Sequence, residues 1–238
     1  MINLLQEPKT LLFSILGGII PAILWLWFWF KEEDNENPEP FFLVALSFII
    51  GGILVFVAIS LEKYSLNFTG NETQKIIVWA AIEEILKLIG VTLILSNGKI
   101  IKEPIDYPMY FIAVALGFAA MENFLYLLNP ISTEGTVVGL ITGNLRFLGS
   151  TLLHAIASSM IGSALGFAFY LEKRKKRYLI LGLLFAIILH SIFNFFIMES
   201  SSDKILSVFA FLWVVTIINI LIFEKLKRMR KIKIFPVS

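Results

Sequence analysis

The chain reads as a succession of long apolar blocks separated by short polar breaks. The blocks are apolar on every side instead of carrying a stripe of period 3.6 or a strict alternation. That pattern belongs to helices surrounded by apolar material, not to amphipathic helices at a water-facing surface. About 20 consecutive apolar residues carry a helix across the hydrocarbon core. Counting such runs predicts helices at about 11–30, 41–61, 76–95, 107–128, 145–171, 178–198 and 205–223. The breaks between them are 31–40, 62–75, 96–106 (with Asn97-Gly98 and Pro104), 129–144, 172–177 and 199–204. The expectation is an all-α, polytopic transmembrane bundle of about seven helices. It forms one integral membrane domain over 1–238, with no internal repeat and no room for a separate soluble domain.

Composition supports this: 58% of residues are hydrophobic, against about half in soluble domains. The first block, Leu11 to Phe30, is long and Trp-rich and lacks a small-residue cleavage site, so it reads as a retained helix and not a signal peptide. With no cysteine, thiol catalysis, disulfides and thiolate metal sites are excluded. A net charge of +2 gives no reason to expect nucleic acid. Placement of the positive charge matters more than its sum. Alternating the breaks puts 14 Lys and Arg on one face, chiefly Lys173 to Arg177 and Lys225 to Lys233, and 5 on the other. The richer face, and with it the C-terminus, is expected to be cytoplasmic in a cell membrane. Asn67-Phe-Thr and Asn71-Glu-Thr match the glycosylation pattern on the other face and read as chance matches in a polar loop.

Ionisable residues inside membrane helices are costly and point to function. The third helix carries Glu83, Glu84 and Lys87, and the fourth Glu122 and Asn123. The fifth carries His154 and the sixth His190 and Asn194; these are the only two histidines in the protein. Counted from the predicted outer helix ends, all lie within roughly 6–14 Å of one membrane face, as if forming one layer. Lys87 stands i+4 from Glu83 and i+3 from Glu84 and can pair with either. Adjacent glutamates point about 100° apart, so the two should differ in role. His154, Ser158, Gly162 and Gly166 form one i,i+4 stripe whose small residues admit a neighbouring helix. Ala115 and Ala119 on the side of Glu122 suggest the same.

A carboxylate with an imidazole can activate water for attack on an amide, and a second His and an Asn can donate to the resulting oxyanion. Alternatively, His154, His190 and Glu83 are the ligand types of a catalytic Zn²⁺ or another divalent metal, although no HExxH is present. Blander roles stand beside these: a buried Glu84–Lys87 ion pair, a hydrogen-bonding knot at Glu122-Asn123, an interhelical contact at Asn194, Arg146 reaching to head groups and Asp106 capping the fourth helix. Readings from other classes are an ion- or proton-coupled transporter and a non-catalytic scaffold; a carrier commonly shows repeats and broken helices, and neither is seen.

Through four blocks in order, AIEEILK (81–87), DYPMYFIAVALGFAAMENFLYL (106–127), RFLGSTLLHAIASSMIGSALGF (146–167) and HSIFN (190–194), the chain resembles the PrsW family of intramembrane proteases. That family is distantly similar to type II CAAX prenyl endopeptidases. The resemblance covers roughly 40–200. It implies an endopeptidase making a site-1-type cut in membrane-anchored substrates such as anti-sigma factors. The paired glutamates map to Glu83 and Glu84 and the histidines to His154 and His190, with Glu83 preferred as base by similarity to the CAAX-type enzymes. Asn194 stands where the PrsW pattern usually has Asp, as in the CAAX-type enzymes, which leaves prenyl-protein substrates as the alternative.

Overall fold

A computed structural model describes residues 8–31, 39–96, 100–134, 136–199 and 205–231. They form seven α-helices: α1 (Pro8–Lys31), α2 (Phe41–Ser65), α3 (Glu72–Leu95), α4 (Asp106–Glu134), α5 (Thr136–Phe167), α6 (Lys175–Glu199) and α7 (Ile205–Lys231). There is no strand among the described residues. Asn97-Gly98, Lys99, Lys204 and Lys233 lie outside the described residues, as does the side chain of Arg146.

Six of the helices are long and apolar enough to cross a membrane. The exception is α3, because Glu83, Glu84 and Lys87 sit in its middle. Those charges are buried against α4, α5 and α6 instead of facing apolar surroundings. The outer flanks of α1, α2, α6 and α7 present large exposed apolar side chains, among them Trp27, Phe56, Phe185 and Leu221. A belt of that extent is tolerated only where lipid is the solvent.

The centre of the bundle is α4. Every residue from Glu103 to Ala120 is buried, and α1, α2, α3 and α5 all pack on it. Small residues bring the backbones together, the usual basis of helix association in lipid. A Cβ on Gly51 would stand 1.9 Å from the carbonyl oxygen of Val114, and one on Gly117 would stand 1.8 Å from that of Phe48. Thus α2 and α4 touch backbone to backbone. On the expected α5 stripe, a Cβ on Gly162 would meet Pro108 Cα at 2.4 Å, which places the start of α4 directly against α5.

Three expectations need correction. The segment Asn129–Asn144 is not a linker: α4 runs through Glu134 and α5 starts at Thr136. A helix satisfies its own backbone hydrogen bonds, so it can outlast the apolar run that seeds it. For the same reason α2 continues through Glu62 to Ser65, and only 66–71 separate it from α3. Asn71 is the N-cap of α3, its side chain accepting from Gln74 N–H at 2.9 Å. Asp106 does not cap α4; its carboxylate folds back to accept from the amides of Lys102 (2.6 Å) and Glu103 (2.8 Å) in the preceding turn.

Candidate active site

The helices outrun the apolar spans, so helix ends are no measure of depth. Within the spans Gly149–Phe167 and Glu172–Ile197, His154 stands 5 positions and His190 7 positions from the nearer end. His154 is 18 positions after Thr136, whereas His190 is only 9 before Glu199. Helix ends project unevenly and do not define a membrane plane. The polar side chains nevertheless meet, and direct contacts bring them together.

Glu84 is the hub. Its Oε1 accepts from Lys87 Nζ (2.8 Å) and lies 2.9 Å from His190 Nδ1, while its Oε2 accepts from the Ser158 hydroxyl at 2.6 Å. A fully buried carboxylate with three donors is satisfied and has little capacity left for a reactant. Ser158 therefore does more than make room on the α5 stripe. Lys87, also fully buried, reaches His154 Nδ1 at 2.7 Å and lies 4.6 Å above the Phe118 ring. An ammonium can only donate, so Nδ1 of His154 is the acceptor and Nε2 carries the hydrogen. That Nε2–H donates to Glu122 Oε2 at 2.8 Å. His190 is arranged the other way: Nδ1–H points to Glu84 and Nε2 faces Glu83. The two rings are perpendicular, with centroids 5.0 Å apart.

Glu83 differs from its neighbour. Its Oε2 is buried without a hydrogen-bond partner among the described residues. Around it stand Lys87 Nζ at 3.5 Å, His154 Nδ1 at 3.6 Å and His190 Nε2 at 3.8 Å. It lines a cavity of about 170 Å³ together with Glu122, His154, His190, Asn194 and Glu62. A second cavity of about 230 Å³, between α2 and α4, reaches Glu83, Glu122 and Glu62 from the other side. Asn123 does not join this group; its amide donates to Thr151 at 2.9 Å and ties α4 to α5. Asn194 lines the cavity wall one helical turn beyond His190.

Glu62 is the residue that the sequence did not suggest. Its charge made it look like the start of a loop, yet it lies on α2 on the face of the buried Val55 and Ala58. The i,i+3,i+7 spacing of those three positions was the available signal.

The donor set suits a divalent cation. One ligand atom each from Glu83, His154 and His190 falls within 4.8 Å of the others. The orphaned Glu83 oxygen lacks a partner that a cation would supply, and each imidazole has its other nitrogen on a carboxylate, the arrangement that orients metal-bound histidines. Lys87 is the one opposing feature, because it holds the Nδ1 lone pair that His154 would offer.

Comparison with known proteins places this chain in a family. The model of the PrsW family intramembrane metalloproteases matches residues 39–221. Protease PrsW of Shouchella clausii is 29% identical over 191 residues, covering 79% of this chain and 83% of that protein. Protease PrsW of Halalkalibacterium halodurans is 30% identical over 159 residues, covering 63% and 68% respectively. Protease PrsW of Oceanobacillus iheyensis is 28% identical over 185 residues, covering 75% and 82%. No solved structure matches.

Proposed function

The chain belongs to the PrsW family of intramembrane metalloproteases, and from that membership we propose that Glu83 is the group that activates water for peptide-bond hydrolysis in a membrane-anchored protein. The observation that carries this assignment is the contrast between two adjacent carboxylates. Glu84 is saturated by Lys87, His190 and Ser158, whereas Glu83 keeps a bare oxygen at the floor of a cavity. A general base needs an open lone pair within reach of water.

Glu83 takes the water proton as the oxygen attacks the scissile carbonyl, and later delivers it to the leaving amine. Lys87, 3.5 Å away, faces the carboxylate and holds it in register. His154 has both nitrogens engaged and serves to assist and position, tying Lys87 to Glu122. Asn194 donates an amide N–H to the developing oxyanion. His190 presents Nε2 to the same space, as a second donor when protonated there and as a ligand when not. When bound, a divalent cation would be held by Glu83, His154 and His190, in place of the Lys87 contact to His154 Nδ1, and would take over from Glu83 the task of activating the water by making it more acidic. The substrate class is a membrane-anchored protein of the anti-sigma-factor type.

The test is cleavage of a single-span membrane protein by purified protein in detergent. Glu83→Gln should lower the rate by about 10²–10⁴-fold, the usual worth of a general base, with the melting transition preserved. A Glu83→Gln variant that cleaves at the wild-type rate would remove Glu83 from the mechanism.

A further inference from the structure

The bundle carries a further and larger cavity, of about 710 Å³, remote from the carboxylate–imidazole cluster. It opens where four chain segments end on one face: the last residue of α3 (Leu95), the turn before α4 and its second residue (Ile101, Tyr107), the residues after α5 (Phe169, Tyr170) and the first residue of α6 (Lys175). This is the face that bears the basic run Lys173 to Arg177 and the basic end of α7. The hydrolytic cluster makes no use of it.

Within that run one residue behaves differently. Lys173, Arg174, Lys176 and Arg177 are exposed, whereas Lys175 is half-buried and turned inward. Its ammonium lies 5.3 Å from the centre of the Tyr107 ring and lines the cavity. One carboxylate, Glu172, shares the wall; it is exposed, and the four exposed cations of the run outnumber it. The cavity is therefore cationic and aromatic on one side. On the other side it is apolar, through Leu95 and Ile101, and next to it the helices continue as exposed apolar surface at Leu93 on α3 and Ile180 and Leu184 on α6. A ligand that fits must carry a phosphate-like anion and an attached apolar tail. Basic pockets between transmembrane helices on the positively charged side select such headgroups.

We propose that this cavity binds the headgroup of an anionic phospholipid, with the phosphate on Lys175 and the acyl chains along α3 and α6. Free phosphate would satisfy the cation but would leave the apolar side unused.

The experiment is native mass spectrometry of the full chain released from detergent with titrated phosphatidylglycerol or phosphatidylcholine. The wild type should retain phosphatidylglycerol in preference. Lys175→Gln should reduce that preference by about tenfold, the worth of one charge-assisted hydrogen bond. The double variant Lys173→Gln/Lys176→Gln, outside the cavity, should keep most of it. Equal retention of the two lipids by the wild type would overturn the proposal. So would an equal loss in the double variant, which would indicate diffuse surface charge. Displacement of the lipid by millimolar inorganic phosphate would show a phosphate site instead. Should Lys175→Gln fail to fold, Lys175→Met serves, since it keeps the apolar stem against the Tyr107 ring and removes the charge; a similar drop in phosphatidylglycerol preference is expected, and unchanged preference counts against the site.

Discussion

At the scale of single residues, the chemistry depends on which groups are already satisfied. Glu84, Lys87 and His154 use their hydrogen-bonding capacity on one another and on His190, Ser158 and Glu122. Glu83 and Asn194 are left facing the cavity. Loss of a single oxyanion donor costs about 10²–10³ in rate, so Asn194→Ala should fall in that range with little change in melting temperature. Near-normal turnover in that variant would take Asn194 out of the oxyanion contact. Lys87→Met should behave in the opposite way. Removing one partner of a buried ion pair costs about 3–5 kcal/mol, so the chelated protein should melt well below the wild type. The same change frees Nδ1 of His154, so added Zn²⁺ should raise the melting temperature of Lys87→Met more than that of the wild type. Melting indistinguishable from the wild type in chelator would contradict the hub described for Lys87.

At the scale of elements, close backbone contacts add to the apolar packing between the helices that carry the site. The α2–α4 crossing at Gly51 and Gly117 fixes the rotation of α4, and with it the direction of Glu122. A Cβ at Gly51 meets a backbone oxygen at 1.9 Å, which cannot give way, whereas one at the adjacent Gly52 finds its nearest neighbour at 3.5 Å. Gly51→Ala should therefore destabilise by about 1–3 kcal/mol or more, and Gly52→Ala should be close to neutral. Thermal melting of the pair in one detergent decides this, and equal melting temperatures would mean that α2 and α4 can separate freely. Gly162→Ala on α5 is the parallel case, with Pro108 as the obstacle.

At the scale of the whole molecule, strict alternation of the helices puts the ends of α3, α5 and α7 on one face, together with most of the basic residues. Positive charge resists translocation, so that face is expected to be cytoplasmic. Reporter fusions at Lys175 and after Lys231 should both read inside. An outside signal at either position would invert the bundle and place the carboxylate–imidazole cluster in the other leaflet.

Sequence alone established the solvent, the helices and the short set of candidate residues. Lipid leaves a backbone few options, so apolar blocks of spanning length become helices, and a charge inside one is conspicuous because it is costly there. That logic found Glu83, Glu84, Lys87, Glu122, His154, His190 and Asn194. It stopped too early at Glu62 and at Asn129–Asn144, where polar residues still lie on helix; at Glu62 the cavity shared with Glu83 and Glu122 shows why. It also could not separate Glu83 from Glu84, since both stand one turn from Lys87. Tertiary structure gives the two different surroundings. In the bundle Glu84 faces Lys87, His190 and Ser158 while Glu83 Oε2 faces the cavity, and a linear spacing carries no information about which way a helix is turned.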